Sequence, residues 1–590
     1  MKRPASIARA PRSDRPKASA RTPVECGDGV TLERDVPFRL SDGTVLRSDH
    51  YHPPGGGPAP TLLVRQPYGK DIATTVVYAH PVWFARHGYN VVIQDVRGRG
   101  TSGGRFNLFE KEEPDGFETV EWLAARPDCT GRVGMYGFSY QGMTQLLAAA
   151  RHPRGLRCIA PWMTAGDLQR GWFYHHGMLR LAAAIGWGTQ MLRGDAHRLG
   201  LKKAAAQLDA AWGSLAPHFH AAPYSRIPHL TARGLPRYFS DWIRNDRASD
   251  SWSEIDISTR WQAIDLPVLH LAGWYDLYLH GTVDLYEKLS RLAGSPAARA
   301  HQYLVVGPWV HLPWGQFAGD MDFGPAAHLD TDALLLRWFD HWLKDSGSFR
   351  DEPKIRLFAL GENQWHTPTT WPGLQPGPTN RWHLRSDGRA NSCHGDGTLD
   401  PEPPTTREPR DTFVHDPEVP VPAPGGPTAA QGCFLQNRME QGNNVLVYTS
   451  VPLTERLHVC GAPHVRIHFQ SSLDQTDLVV KLVRVTPDGR AYNVVIGGAR
   501  SSFLFPEGFH ADAVHRWEFD LEPTSCVFSP GDRLRIEVSS SAFPLYDRNP
   551  GSTVPPRDAS PTDWRRARQQ VLHTPDAPSS IELPLLPKAA

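Results

Sequence analysis

The chain has 590 residues, more than a single hydrophobic core serves, so two or three domains are expected. Its 63 Lys and Arg nearly balance 62 Asp and Glu, which gives no global electrostatic case for nucleic acid. No apolar run is long enough to span a membrane. The seven scattered cysteines (Cys26, Cys129, Cys158, Cys393, Cys433, Cys460, Cys526) show neither a disulfide framework nor metal-type spacing, which fits a reducing cytoplasm.

Residues 1–33 begin with a basic stretch rich in Pro, Ala and Ser that lacks the apolar segment of a secretory signal, and they read as a disordered tail. From residue 34 the pattern is strand-like. Val36-Pro37-Phe38-Arg39-Leu40 and Val45-Leu46-Arg47 flank an Asp42-Gly43 turn and read as a hairpin. Thr61-Leu62-Leu63-Val64-Arg65 and Tyr89-Asn90-Val91-Val92-Ile93-Gln94-Asp95 read as buried strands. A helix over 76–87, interrupted by Pro81, lies between them, and another covers 116–125. Strands alternating with helices predict a doubly wound parallel sheet. Residues 164–263 break that rhythm with helical runs at 179–192 and 201–215 and read as an inserted helical cap. The sheet pattern resumes at Pro267-Val268-Leu269-His270-Leu271-Ala272 and Gln302-Tyr303-Leu304-Val305-Val306, and an amphipathic helix follows at 331–344. The core is thus expected over 34–163 and 264–348. Residues 349–590 carry short strand-like runs between Gly and Pro turns, beginning at Ile355-Arg356-Leu357-Phe358. Val465, Ile467 and Phe469 alternate with His464, Arg466 and His468. This region reads as an all-β sandwich or jelly roll, with a Pro-rich loop or linker at 401–427.

The most informative stretch is residues 132–150. A short apolar strand runs into Gly137-Phe138-Ser139-Tyr140-Gln141-Gly142, and a small-residue helix follows. This has the form of a nucleophile elbow, with the second glycine one place later than usual and Gln141 in its stead. A serine hydroxyl needs a base, and the base needs an orienting carboxylate. Asp276 in Gly273-Trp274-Tyr275-Asp276 and His311 in Gly307-Pro308-Trp309-Val310-His311 each follow a strand C-terminus, where a doubly wound sheet places its site. Asp284, inside the helix that follows, is the poorer acid. Tyr68, in Gln66-Pro67-Tyr68-Gly69 after an early strand, can donate its phenolic O–H to an oxyanion. The backbone N–H of Tyr140 is the second expected donor.

Together these motifs resemble the family of cocaine esterase, α-amino-acid ester hydrolase and X-Pro dipeptidyl-peptidase relatives. Further matching pieces are Gln94-Asp95-Val96-Arg97-Gly98-Arg99-Gly100-Thr101-Ser102-Gly103-Gly104, Asp488-Gly489-Arg490-Ala491-Tyr492-Asn493 and Ser539-Ser540-Ser541-Ala542-Phe543-Pro544, so the likeness covers roughly residues 34–585. It implies an α/β-hydrolase core, a helical cap and a C-terminal jelly roll. It also implies Ser139, Asp276 and His311 as the triad and Tyr68 with Tyr140 as the oxyanion hole, and it calls for no metal or organic cofactor. Relatives that take α-amino-acid esters resemble one another in a carboxylate cluster placed partly just after the aspartate. Here Leu277-Tyr278-Leu279-His280 follows, and the cap segment 169–177 brings Arg170 in place of an acidic pair. X-Pro peptidases of this type resemble longer chains with an extra N-terminal helical domain, for which this tail is too short. The expectation is a serine esterase or amidase for a small neutral, apolar or aromatic acyl group, with Trp172, Trp187 and Tyr278 as pocket walls. The alternatives are an acyltransferase using the same triad, X-Pro dipeptidyl-peptidase or α-amino-acid ester hydrolase activity, and a binding protein with a vestigial site. The expected partner is a small-molecule ester or amide, with neither nucleic acid nor membrane; whether copies of the chain associate is left open.

Overall fold

The computed structural model describes residues 24–71, 77–244, 250–427 and 429–586. Eleven strands form the first sheet, in the spatial order Val24–Glu25, Thr31–Arg39, Val45–His52, Asn90–Asp95, Ala59–Gln66, Cys129–Phe138, Leu156–Trp162, Val268–Gly273, Gln302–Gly307, Ile355–Ala359 and Gln364–His366. The central strands are parallel, with Thr61 opposite Asn90 and Val133, and Leu269 opposite Tyr303. Their apolar runs are buried on both faces, as a sheet covered by helices requires: Leu62, Leu63, Val91, Val92 and Leu271 are all fully buried. From Ala59–Gln66 the chain moves to one side of the sheet and then crosses to Cys129–Phe138 on the other. That reversal opens a crevice at the strand C-termini, where open α/β sheets bind ligands.

The sheet begins earlier and ends later than the sequence pattern suggests. Residues 1–23 lie outside the described residues, but Val24–Glu25 and Thr31–Arg39 are already paired strands, so the expected tail does not reach residue 33. Ile355–Ala359, expected in the C-terminal β region, pairs in parallel with Gln302–Gly307 and belongs to the first sheet. The cause is the preceding helix, Thr331–Lys344. It buries Leu334, Leu335, Trp338 and Phe339, and Phe339 packs so closely that a Cβ on Gly134 would lie 2.7 Å from its ring. With the helix held on the sheet, the chain leaving it returns beside the last strand. The helix expected over 76–87 is Pro81–Arg86; residue 76 lies outside the described residues. Pro81 starts this helix and does not interrupt it, because the N1 position needs no N–H and His80 caps the end.

Between Leu156–Trp162 and Val268–Gly273 the chain forms the π-helix Gln169–Phe173, the two-stranded ribbon Tyr174–His175 with Met178–Leu179, and the helices Leu181–Arg198 and Lys202–Gly213, then shorter turns. This segment packs through aromatic rings: Trp187 stacks on Trp242 at 4.9 Å, and Phe173 lies 4.9 Å from Trp242 and 5.2 Å from Trp252. Beyond residue 378 a second large sheet of mostly antiparallel strands takes over. In His464–Ser471 the alternation is as read, with Val465, Ile467 and Phe469 buried against Trp517 and Phe519. A buried ion pair and a buried arginine tie this β domain to the cap. Arg500 bonds Asp477 and Asp547 and also the Gly177 carbonyl, and Arg180 reaches Glu522 at 2.7 Å.

Candidate active site

Ser139 sits between Cys129–Phe138 and the helix Tyr140–Ala149 with φ 62° and ψ −127°, a backbone region costly for any side chain. The turn is held by the Ser139 N–H, which donates to the Trp162 and Met163 carbonyls at 2.9 and 3.2 Å. The two glycines of the motif are steric requirements. A Cβ on Gly137, itself at φ +138°, would fall 2.5 Å from the Gln141 Cβ. One on Gly142 would fall 2.8 Å from Thr164.

The structure brings Asp276 and His311 together across two strand ends. Asp276 Oδ1 accepts from His311 Nδ1 at 2.8 Å, and Asp276 is 1% exposed. The His311 backbone N–H donates to Gln431 Oε1 at 3.0 Å, and the imidazole is held between the rings of Phe138 and Tyr278, each 5.2 Å away. With Nδ1 engaged, Nε2 is the free end of the ring, and His311 and Ser139 border the same cavity. Asp284 lies in the next helix, Leu279–Leu292, away from this pairing.

Tyr68 is fixed by Trp187, whose indole N–H donates to the phenol oxygen at 3.2 Å. Because that oxygen is accepting, its own proton is left to donate elsewhere. Desolvation pushes the phenol up to about 12 against the Trp187 bond, the Arg99 charge and a hydrogen-bonding contact with Ser139, so it stays protonated. Tyr140 turns its side chain away: its O–H donates to Glu112 Oε1 at 2.7 Å and its ring stacks on Phe109 at 4.4 Å. Its backbone N–H, first in the helix, has no carbonyl one turn back to meet. Burial keeps the Tyr278 phenol well above its usual range, again with Ser139 as a hydrogen-bonding neighbour.

Tyr68, Ser139, Tyr278 and His311 open onto one cavity of about 430 Å³. The helix Leu181–Arg198 lends it Ala182, Ala183, Gly186, Trp187 and Gln190, neighbours on one helical face. Trp187 was expected there; Ala182, Ala183, Gly186 and Gln190 were missed in the sequence, although small residues at helical spacing beside Trp187 are a readable signal. Gln141, Leu215 and Leu277 also border the cavity and were missed as site residues. Trp172 does not reach it. Its ring packs behind the wall, 4.1 Å from Tyr278 and 5.6 Å from Trp187, so it supports the pocket and does not line it. Arg170 is likewise remote. Its side chain is 64% exposed beside Asp167 and borders a different cavity, against the β domain, so it does not bring its charge to the cavity on Ser139. Among the described residues no cluster of His, Cys, Asp or Glu is arranged to hold a metal ion, and no helix is long and apolar enough to cross a membrane.

Residues 42–313 match the family model for X-Pro dipeptidyl-peptidase (S15 family), and residues 347–582 match that for the X-Pro dipeptidyl-peptidase C-terminal non-catalytic domain. The chain is also 33% identical to cocaine esterase of Rhodococcus sp. (strain MB1 Bresler), over 93% of this chain and 97% of that one. The chain belongs to this family of serine hydrolases. Among solved structures, an aminopeptidase from a marine sediment archaeon, Thaumarchaeota archaeon, is similar with a TM-score of 0.77 at 24% identity, covering 97% of this chain and 99% of that one. An α-amino acid ester hydrolase is similar with a TM-score of 0.76 at 22% identity over the same shares. These two carry the fold: an α/β-hydrolase core with an inserted helical cap and a C-terminal β domain of the jelly-roll kind. This S15-family hydrolase thus places the cavity beneath its cap, at the C-terminal edge of its sheet.

Proposed function

We propose that this S15-family chain is a serine carboxylesterase or amidase for small, neutral, apolar or aromatic acyl groups, working through an acyl-enzyme. In this reading Ser139 Oγ attacks the carbonyl carbon while His311 Nε2 takes its proton. Asp276 holds the imidazole by Nδ1 and stabilises the imidazolium. The Tyr68 O–H and the Tyr140 N–H receive the oxyanion. The tetrahedral intermediate collapses, and the leaving alcohol or amine carries away the proton held by His311. Water then repeats the sequence on the acyl-enzyme. Trp187 and Tyr278 form the aromatic walls around the acyl group.

One observation carries the choice of acyl group: among the described residues no carboxylate lines the cavity on Ser139. Asp276 is buried behind the cavity wall and committed to His311. An ammonium brought there would be desolvated without a partner, at a cost of several kcal/mol. The relative at 33% identity is named as an esterase, which supports ester chemistry here. The test compares kcat/KM for phenylacetyl and phenylglycyl esters with one leaving group, at a pH where the amine is charged. The phenylacetyl ester is expected to be preferred at least tenfold, about 1.4 kcal/mol. A preference for phenylglycyl would defeat the reading.

A further inference from the structure

Most of the cavity wall is apolar, yet it carries a buried side-chain amide that the proposed reaction does not use. Gln141 is 2% exposed and borders the cavity. Its orientation is set by the elbow. Oε1 accepts the Phe138 backbone N–H at 3.3 Å, tucked under Gly137, where a Cβ would lie 2.7 Å from that oxygen. Only the oxygen end of an amide can meet a backbone N–H, so the –NH2 end is the one left over. Nε2 makes no hydrogen bond to any described residue, and Gln141 borders the cavity, so its two N–H donors remain for a ligand there. Gln141 lies two residues past Ser139, in the first turn of the helix, so these donors sit close to the reacting carbonyl.

We propose that Gln141 selects the acyl group, its amide donating a hydrogen bond to an uncharged oxygen on the acyl chain, such as an ether, ketone or hydroxyl oxygen. A donor-only end repels an ammonium. A carboxylate would enter a cavity that no Lys or Arg among the described residues borders, and would lose its hydration uncompensated. An acyl chain that is apolar overall, with one acceptor near the carbonyl, satisfies both the walls and the amide. The proposal rests on the esterase reading above.

The test uses p-nitrophenyl esters in isosteric pairs: methoxyacetate against butyrate, and 3-methoxypropionate against pentanoate. Each ether-to-alkyl ratio of kcat/KM is measured in the wild type and in Gln141→Met, which keeps the length and removes both donors. Comparing ratios between proteins cancels the intrinsic reactivity of the ether esters. In at least one pair the ratio is expected to fall about 3- to 10-fold in the variant, the size of one lost hydrogen bond. Gln141→Glu retains an oxygen for the Phe138 N–H and covers the case in which Gln141→Met fails to fold. In it the same ratio falls, and phenylglycyl esters gain relative to phenylacetyl esters. Unchanged ratios with p-nitrophenol still released overturn the proposal. So does loss of all turnover in both variants, which would give Gln141 to the architecture of the elbow. If the wild type releases no p-nitrophenol from any of the four esters, the esterase reading itself fails, and this proposal falls with it.

Discussion

At Ser139 a strained backbone and a buried hydroxyl coincide, with two tyrosine phenols and an imidazole around one cavity. If Ser139 is the nucleophile, Ser139→Ala removes turnover by about 10⁴-fold or more, because the residues of such a site act as a unit. Near-wild-type hydrolysis by a folded variant would move the nucleophile elsewhere, and a fluorophosphonate label followed by peptide mapping would show where. Tyr68→Phe isolates the phenolic proton. Trp187 already donates to the Tyr68 oxygen, so that proton is free for the oxyanion. The expected loss is about 10²-fold in kcat with a smaller change in KM, since the bond matters mainly in the transition state. An unchanged kcat under rate-limiting acylation would remove Tyr68 from that role. The residue types were legible in the sequence because the elbow and the strand-end loops are local patterns. Trp172 was expected at the cavity and stands behind it, because the sequence carries no mark of which aromatic side chain of the cap faces a cavity and which packs behind the wall.

The element that shapes the pocket is the helix Leu181–Arg198. One face buries Leu181, Ile185 and Leu192 in the cap, and an adjoining one offers Ala182, Ala183 and Gly186 to the cavity. A Cβ on Gly186 would make only ordinary contact, 3.7 Å from Leu215 Cδ1, so a side chain fits there locally. A longer one takes up cavity volume. Gly186→Leu is expected to lower kcat/KM for phenylacetyl esters tenfold or more while sparing acetyl esters. Thermal stability should hold or rise, because glycine inside a helix costs about 1 kcal/mol relative to alanine. Equal losses on acetyl and phenylacetyl esters would show that Gly186 does not border the acyl site.

Across the molecule, the β domain is joined to the cap by buried charge. Arg500 is held by Asp477 at 2.9 Å on both carboxylate oxygens, by Asp547, and by the Gly177 carbonyl of the cap at 3.2 Å. The two aspartates lend the guanidinium enough support to keep its pKa raised in spite of burial. Arg500→Met leaves both carboxylates without a cation, a change that costs about 3–5 kcal/mol when a buried pair is broken. A Tm drop of several degrees is expected by calorimetry. The surface pair Arg490–Asp488, broken as Arg490→Met, should leave Tm where it was. Equal shifts in the two variants would mean that the buried network contributes no more than a solvated pair.

The sequence by itself determined whatever is decided within a short window of chain. The glycines at 137 and 142 encode a turn too tight for side chains, the alternation of Val465, Ile467 and Phe469 encodes a half-buried strand, and the spacing in 331–344 encodes its helix with the same bounds as Thr331–Lys344. The order of Ser139, Asp276 and His311 after successive strands was likewise legible, because strand ends are local signals and a parallel sheet gathers its C-termini on one edge. Only the tertiary structure decided which sheet takes a given strand and which way a side chain faces. Ile355–Ala359 reads as a strand in any sheet, and it joins the first because Thr331–Lys344 is packed onto Gly134, some two hundred residues earlier in the chain. Arg170 faces a crevice against the β domain, Trp172 stands behind Tyr278, and the Gln141 oxygen is claimed by the Phe138 N–H. Each of these outcomes depends on neighbours brought in by packing, and a side chain's direction is set by that packing and not by its own spacing along the chain.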